Sequence, residues 1–220
     1  MTELPTAVLF DMDGTLVDTE PDWIATETAL VEAHGGAWTE ADSIALIGSD
    51  LLDAGEYIRR RGGLDMTAAE VVEHMVGRMR DSLGNGVTWQ PGAQELLMAL
   101  AAAKVPTALV TMSYRVLTDA VLEWAPAGAF QVVVTGDEVD NGKPDPEPYQ
   151  RAADQLGVDI ADCVIVEDSH TGVRAGMASG AHVIAVPHTV PIEPEPDLVI
   201  VDTLVGLTPT DLMTPFLDHA

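Results

Sequence analysis

The sequence holds one cysteine, two lysines, three phenylalanines and three tyrosines in 220 residues, and each scarcity removes a class of explanation. A lone thiol, Cys163, permits no disulfide within the chain, and its place in the apolar run Cys163-Val164-Ile165-Val166 marks a buried small hydrophobe, not a nucleophile. No apolar run reaches the ~20 residues that a bilayer-spanning helix needs. The N-terminus also lacks a basic stretch followed by an apolar one, so the expectation is a soluble cytoplasmic protein with no membrane partner. Positive charge is the scarcest resource: 10 Lys and Arg stand against 36 Asp and Glu, a formal charge of −26. Such a field repels nucleic acid and anionic membranes and argues against both as partners. It would repel a phosphorylated ligand too, so a site for one needs a bound cation and a few placed positive groups. Solubility or a salty cytoplasm accounts for most of the remaining acid.

What is present is pattern. A hydrophobic fraction of 47%, in apolar runs that alternate with helical periodicity, indicates a folded chain long enough for a core domain carrying a smaller one. Residues 7–10 read as a short buried strand. From about Pro21 to Leu83 the pattern is helical. Pro21 suits a first helical position, Trp23 and Leu30 recur two turns apart, as do Ile24 and Val31, and Gly35-Gly36 ends the run. A shorter helix is expected from Thr39 toward Gly48, and a third over 51–61 before Gly62-Gly63. The clearest starts at Thr67, which has capping-box spacing to Glu70 and leads a stripe of Val72, Met75, Val76, Met79 and Leu83. Strands return at about 107–110, 132–134, 163–166, 182–186 and 198–201, with helical stretches at 94–103, 115–124, 148–156 and 172–179. The prediction is an α/β fold. Residues 1–17 and 89–220 form a doubly wound parallel sheet, residues 18–88 form a small all-helical domain inserted into it, and ligands bind beyond the strands' carboxyl ends. A proline-rich loop follows at 187–196.

Chemistry enters where apolar runs meet polar residues. In Leu9-Phe10-Asp11-Met12-Asp13-Gly14-Thr15 two carboxylates stand two residues apart at the end of the first strand, so Asp11 and Asp13 are expected to face one pocket. Asp-x-Asp-Gly also opens calcium loops, but those need a third oxygen ligand at the fifth position and a glutamate at the twelfth, where this chain has Thr15 and Asp22. The next strand ends in Val110-Thr111-Met112-Ser113, a hydroxyl at the predicted crevice, although a threonine there also serves as a β-former or helix cap. In Gly142-Lys143-Pro144-Asp145-Pro146-Glu147-Pro148 the prolines fix an extended segment before a helix and hold the backbone of Lys143. Its ammonium would relieve repulsion among nearby carboxylates and bind a transferring phosphoryl group. Last, Val164-Ile165-Val166 runs into Glu167-Asp168, two acids that repel each other without a cation. Mg²⁺ prefers few carboxylates, which makes Asp168 the candidate direct ligand and Glu167 a residue acting from behind it. His170 lies outside any metal-ligand spacing and is assigned no role.

These four segments, in this order, resemble the four signatures of the haloacid dehalogenase superfamily, the first being Asp-x-Asp-Gly-Thr. The likeness covers nearly the whole chain, because the helices of 18–88 resemble the helical cap of the subgroup that contains β-phosphoglucomutase and many small phosphatases. It implies a Mg²⁺-dependent phosphohydrolase of a small phosphate monoester, a sugar phosphate or similar metabolite, acting through an aspartyl-phosphate. Asp11 would be the nucleophile and Asp13 the acid that protonates the leaving oxygen and later activates water. Thr111 and Lys143 would hold the phosphoryl group. Mg²⁺ would sit on Asp11, the backbone carbonyl of Asp13 and Asp168, with Glu167 behind. The partner is a small phosphorylated metabolite, and the protein is expected to be a monomer.

Rival readings are a phosphosugar mutase on the same scaffold, a non-catalytic metabolite-binding module and a dehalogenase. The mutase resembled here carries a histidine where this chain has Trp23, and an arginine after the cap glycine where Gly48 is followed by Ser49, Asp50 and Leu51. The binding module is disfavoured because every reactive group is present, and the dehalogenase because it does not use the second aspartate. Arg59-Arg60-Arg61 is either a substrate patch or a solvated helix end.

Overall fold

The computed structural model describes residues 4–217. Six strands form one parallel sheet: β1 (Ala7–Phe10), β2 (Thr107–Val110), β3 (Val132–Val134), β4 (Cys163–Glu167), β5 (His182–Ala185) and β6 (Leu198–Ile200), in the order β3-β2-β1-β4-β5-β6. β1 and β4 are buried at every residue, which is why they read as unbroken apolar runs. Successive strands run outward from β1 to β3 on one side and from β4 to β6 on the other. The winding therefore reverses between β1 and β4, and the two crossovers diverge there to leave a crevice beyond the carboxyl ends. Asp11 and Asp168 follow these two strands directly.

Between β1 and β2 the chain first builds four helices, α1 (Glu20–Ala33), α2 (Glu40–Ile44), α3 (Leu51–Gly62) and α4 (Ala68–Leu83). It leaves and re-enters the sheet region side by side: the Asp18 amide donates to the Thr88 carbonyl at 2.8 Å and the Gln90 amide to Leu16 at 2.8 Å. The helices share a core of their own, with Leu30, Val31, Trp38, Ile58, Leu64, Val71 and Met75 buried together. α4 also reaches the main core, where Met79 and Leu83 are buried. Facing two cores at once, it buries Val71 beyond the expected stripe and leaves Val76 only half-buried. The Thr67–Glu70 capping box is formed in both directions. α2 stops earlier than expected: beyond Ile44 the amides of Leu46 and Ile47 bond three residues back, and Gly48 at φ 74° turns the chain toward α3. Asp50 caps α3, and Gly63, left-handed at φ 66°, ends it.

The return to the sheet begins with α5 (Ala93–Ala103) and continues with α6 (Arg115–Leu122), α7 (Glu147–Leu156), α8 (His170–Ser179) and a terminal turn α9 (Thr214–Leu217). On one face Val8, Phe10, Val164 and Val166 pack with Leu96, Leu97 and Leu100 of α5. On the other, Ala7, Leu9 and Ile165 pack with Tyr149 of α7 and Val173 of α8. α6 ends two residues short of expectation, and the freed Trp124 indole donates to the Leu83 carbonyl at 3.1 Å, closing the end of α4. α8 starts two residues early because the Ser169 hydroxyl caps it, accepting from the Gly172 amide at 3.0 Å. The 187–196 loop touches the start of α1, where Thr189 donates to Glu20.

Candidate active site

Asp11 leaves β1 with its amide still bonded to the Val166 carbonyl at 3.0 Å, so its side chain stands at the mouth of the crevice. Asp11 and Asp13 line one cavity, and the turn at residues 14–16 follows directly after Asp13. Gly14 has φ 86°, and a Cβ on it would lie 2.1 Å from Asp168 Oδ2, so only glycine lets the two loops meet.

Lys143 is the hub. Its Nζ donates to Asp11 Oδ1 at 2.7 Å, Glu167 Oε1 at 2.6 Å and the Val110 carbonyl at 2.9 Å, which uses all three of its protons. The segment that carries it is a turn, closed by the Asp145 amide on the Gly142 carbonyl at 3.0 Å, where an extended run was expected. Glu167 is wholly buried. Its Oε1 also accepts from the Tyr149 hydroxyl at 2.8 Å, and its Oε2 from the amides of Asp168 and Ser169 at 3.0 and 3.1 Å and from the Ser169 hydroxyl at 3.1 Å. A Cβ at Gly172 would fall 1.6 Å from Glu167 Oε1. With both oxygens surrounded by protein donors, Glu167 orients Lys143 and the loop that bears Asp168.

Asp168 differs. Thr15 donates to its Oδ1 at 3.0 Å, while Oδ2 is buried with no partner among the described residues. Burial, then the charges of Asp11 and Glu167, push its carboxyl well above the usual carboxylate range. Asp11 is pushed up to about 7, chiefly by burial, with Glu167 and Asp13 adding to the rise and Lys143 opposing it. For Lys143 burial alone favours the neutral amine, but Asp11 and Glu167 outweigh it and raise its pKa. Oxygens of Asp11, Glu167 and Asp168 lie within 4.8 Å of one another, three carboxylates facing one ammonium. Fully ionised, the three acids carry two negative charges beyond the one ammonium, an excess that a hard divalent cation with oxygen ligands would offset, and Asp168 Oδ2 is the oxygen left to bind one.

Asp13 sits apart from this cluster in a collar of hydroxyls. Thr19 donates to Oδ1 at 2.6 Å, and Ser113 and Thr111 donate to Oδ2 at 2.8 and 3.2 Å. Above the floor formed by Asp11, Asp13 and Lys143 lies a cavity of ≈260 Å³, roofed by residues of α1 to α4, Trp23 among them. Of the six candidate residues, Asp11, Asp13, Thr111 and Lys143 line this cavity, while Glu167 and Asp168 lie buried behind its floor, clustered with Asp11. The arginine run does not line it: Arg59 and Arg60 pair with Glu56 and Arg61 with Asp42, each at 2.7 Å, on the outer side of α3. His170 is exposed. Sequence reasoning passed over Thr15, Thr19, Ser113, Tyr149 and Ser169, which hold the reactive carboxylates, and Glu27, which lines the roof. Glu27 did leave a signal, since an acid three residues before Leu30 and four before Val31 lies on the buried face of α1.

The model of the haloacid dehalogenase-like hydrolases matches residues 8–186. The chain belongs to that family. Hexitol phosphatase A of Escherichia coli strain K12 is 34% identical over 206 residues, 87% of this chain and 88% of the relative. A phosphorylated carbohydrates phosphatase of Thermotoga maritima is 31% identical over 184 residues, 79% of this chain and 81% of its own. Among solved structures, CbbY of Rhodobacter sphaeroides in complex with phosphate superposes with a TM-score of 0.81 over 92% of this chain and 96% of that one, at 24% identity, a likeness of fold. The haloacid dehalogenase-like fold thus accounts for the sheet order and for the crevice between β1 and β4.

Proposed function

We propose that this chain is a Mg²⁺-dependent phosphohydrolase of small phosphorylated metabolites that works through an aspartyl-phosphate on Asp11, with residues 18–88 serving as a cap over the site. The observation that carries the reading is the pairing of a Lys143-bound Asp11 with an unpartnered Asp168 oxygen across the β1–β4 crevice. Lys143 holds Asp11 Oδ1, which leaves Oδ2 to attack phosphorus. When phosphate binds, Thr111 would turn its hydroxyl from Asp13 and Lys143 would turn one proton from the Val110 carbonyl to hold the phosphoryl oxygens in line. As the bond from phosphorus to the leaving oxygen breaks, Asp13, steered by Thr19 and Ser113, delivers a proton to that oxygen. The same carboxylate then takes a proton from a water that attacks the aspartyl-phosphate, which frees inorganic phosphate and restores Asp11. Bound Mg²⁺, held by Asp11, Asp168 and the Asp13 backbone carbonyl, would supply the positive charge that lets phosphate approach these carboxylates.

A phosphosugar mutase passes through a bisphosphate and needs a second cationic pocket. Among the described residues Lys143 is the one Lys, Arg or His lining the cavity, and Trp23 faces the region beyond it. That favours hydrolysis. Relatives named as phosphatases of hexitols and phosphorylated carbohydrates favour it as well. The protein is read as a monomeric cytoplasmic enzyme without nucleic-acid or membrane partners. The formal charge of −26 speaks against nucleic-acid and anionic-membrane partners, and no helix among the described residues is long and apolar enough to cross a membrane. Purified protein assayed with Mg²⁺ on a panel of phosphate monoesters should release inorganic phosphate, and excess EDTA should stop it. Full activity in verified metal-free protein, or faster conversion of β-glucose 1-phosphate to glucose 6-phosphate than phosphate release, would contradict the reading.

A further inference from the structure

The half of the cavity remote from Lys143 is built unlike its floor. Trp23 and Ile24 of α1, Ile44 at the end of α2, Ile47 in the turn after it, Ile58 of α3 and Met75 of α4 line it with hydrocarbon. Into this wall is set the carboxyl of Glu27, a residue only 4% exposed. A buried acid without a countercharge is costly, and the one cation on the cavity is already committed to Asp11, Glu167 and the Val110 carbonyl. The surroundings nevertheless hold Glu27 in place. The Trp38 indole donates to Glu27 Oε2 at 3.1 Å and to Ser43 Oγ at 2.8 Å, and the Ser43 hydroxyl donates to the same Oε2. Both donors fall on one oxygen, and Oε1 takes none among the described residues. Burial raises the pKa of this carboxyl above its ordinary value, and the two hydrogen bonds only partly oppose the shift. A fixed acceptor in an apolar wall, with one oxygen left over, is how a binding site orients a ligand through a single polar group.

We infer that the substrates are phosphomonoesters with a largely apolar body and a hydrogen-bond donor, an ammonium or a hydroxyl, at the end away from the phosphate, and that Glu27 Oε1 receives that donor. The inference rests on the phosphohydrolase reading above and deepens it. A hexose or hexitol phosphate suits this roof less well, because most hydroxyls along its length would lose water against Trp23, Ile24, Ile44, Ile47 and Ile58, while beside Glu27 only a few polar residues, Glu40, Ser43 and Ser49, line the same side. The chain would then differ in substrate from its carbohydrate-phosphatase relatives.

The test is kcat/KM, with Mg²⁺, for 5-aminopentyl, 5-hydroxypentyl and pentyl phosphates and for sorbitol 6-phosphate. On the wild type at least one donor-tipped chain should exceed both pentyl phosphate and sorbitol 6-phosphate by about tenfold or more, and the amino and hydroxyl arms identify the donor. Glu27→Gln should shrink the ratio of that chain to pentyl phosphate about tenfold, and Glu27→Asp, which retracts the charge, should shrink it less. Because the readout is a ratio within each protein, partial misfolding moves both rates together, and the wild-type ratio decides even if a variant fails to fold. Equal rates on the three chains, a preference for sorbitol 6-phosphate, or a ratio unmoved by Glu27→Gln would overturn the inference. No turnover of any phosphomonoester, p-nitrophenyl phosphate included, would instead defeat the phosphohydrolase reading and this inference with it.

Discussion

A carboxylate oxygen buried without a partner is a debt that a single atom records, and Asp168 Oδ2 is that atom here. Removing one of the crowded carboxylates relieves repulsion when no cation is present, so Asp168→Asn should melt no lower than the wild type in EDTA and gain little from added Mg²⁺. A melting temperature well below that of the metal-free wild type would speak against the crowding argument. Glu27 allows a second test at this scale. Its folded-state pKa lies above the ordinary 4.5, mainly through burial. The stability it confers is therefore complete below about pH 4.5 and is lost as pH rises through the folded value. Glu27→Gln removes that titration, so its melting temperature relative to wild type should climb as pH goes from 4 to 7, whereas a constant difference would show that Glu27 is not perturbed. Asp11, Lys143, Glu167 and Asp168 were legible as site candidates because each stands where a short apolar run or a proline cluster meets charge. Thr19, Tyr149 and Ser169 were not, since what recommends them is a contact made only in the folded chain, such as Tyr149 from α7 reaching Glu167 at the end of β4.

Elements were more legible than their ends. Strands buried on both faces announce themselves by composition, as β1 and β4 do, and the parallel sheet followed from strands alternating with helical stretches. The shortfall at α2 came from the tertiary structure. Gly48 must turn the chain so that the α2–α3 segment can lie against α8, where a Cβ on Gly48 would meet Ser169 Oγ at 3.1 Å. α6 ends because the amides of Trp124 and Ala125 bond three residues back just before Pro126, which disfavours helix at the residue before it, and the indole of Trp124 then reaches the end of α4. Caps were readable because their chemistry is local. Thr67→Ala deletes the hydroxyl that accepts the Glu70 amide and should cost about 1 kcal/mol. That corresponds to a drop of roughly 2–4 °C in melting temperature for a chain of this size. Differential scanning calorimetry would check it, and an unchanged midpoint would mean that α4 is held by its packing alone.

On the scale of the whole molecule, 36 acidic residues surround a site that must admit a phosphate, and among the described residues a single lysine faces the cavity. A bound divalent cation would reconcile the two, and a covalent intermediate on Asp11 would give the cation, the lysine and the hydroxyl collar around Asp13 one common purpose. The most direct test is to quench the enzyme in acid during turnover of a ³²P-labelled phosphomonoester and map the bound label. The account predicts acid-stable label on the peptide bearing Asp11, formed only with Mg²⁺ and missing from Asp11→Asn, whose turnover should fall roughly a thousandfold or more. Steady release of phosphate with no label on that peptide, or near-normal turnover by Asp11→Asn, would contradict it.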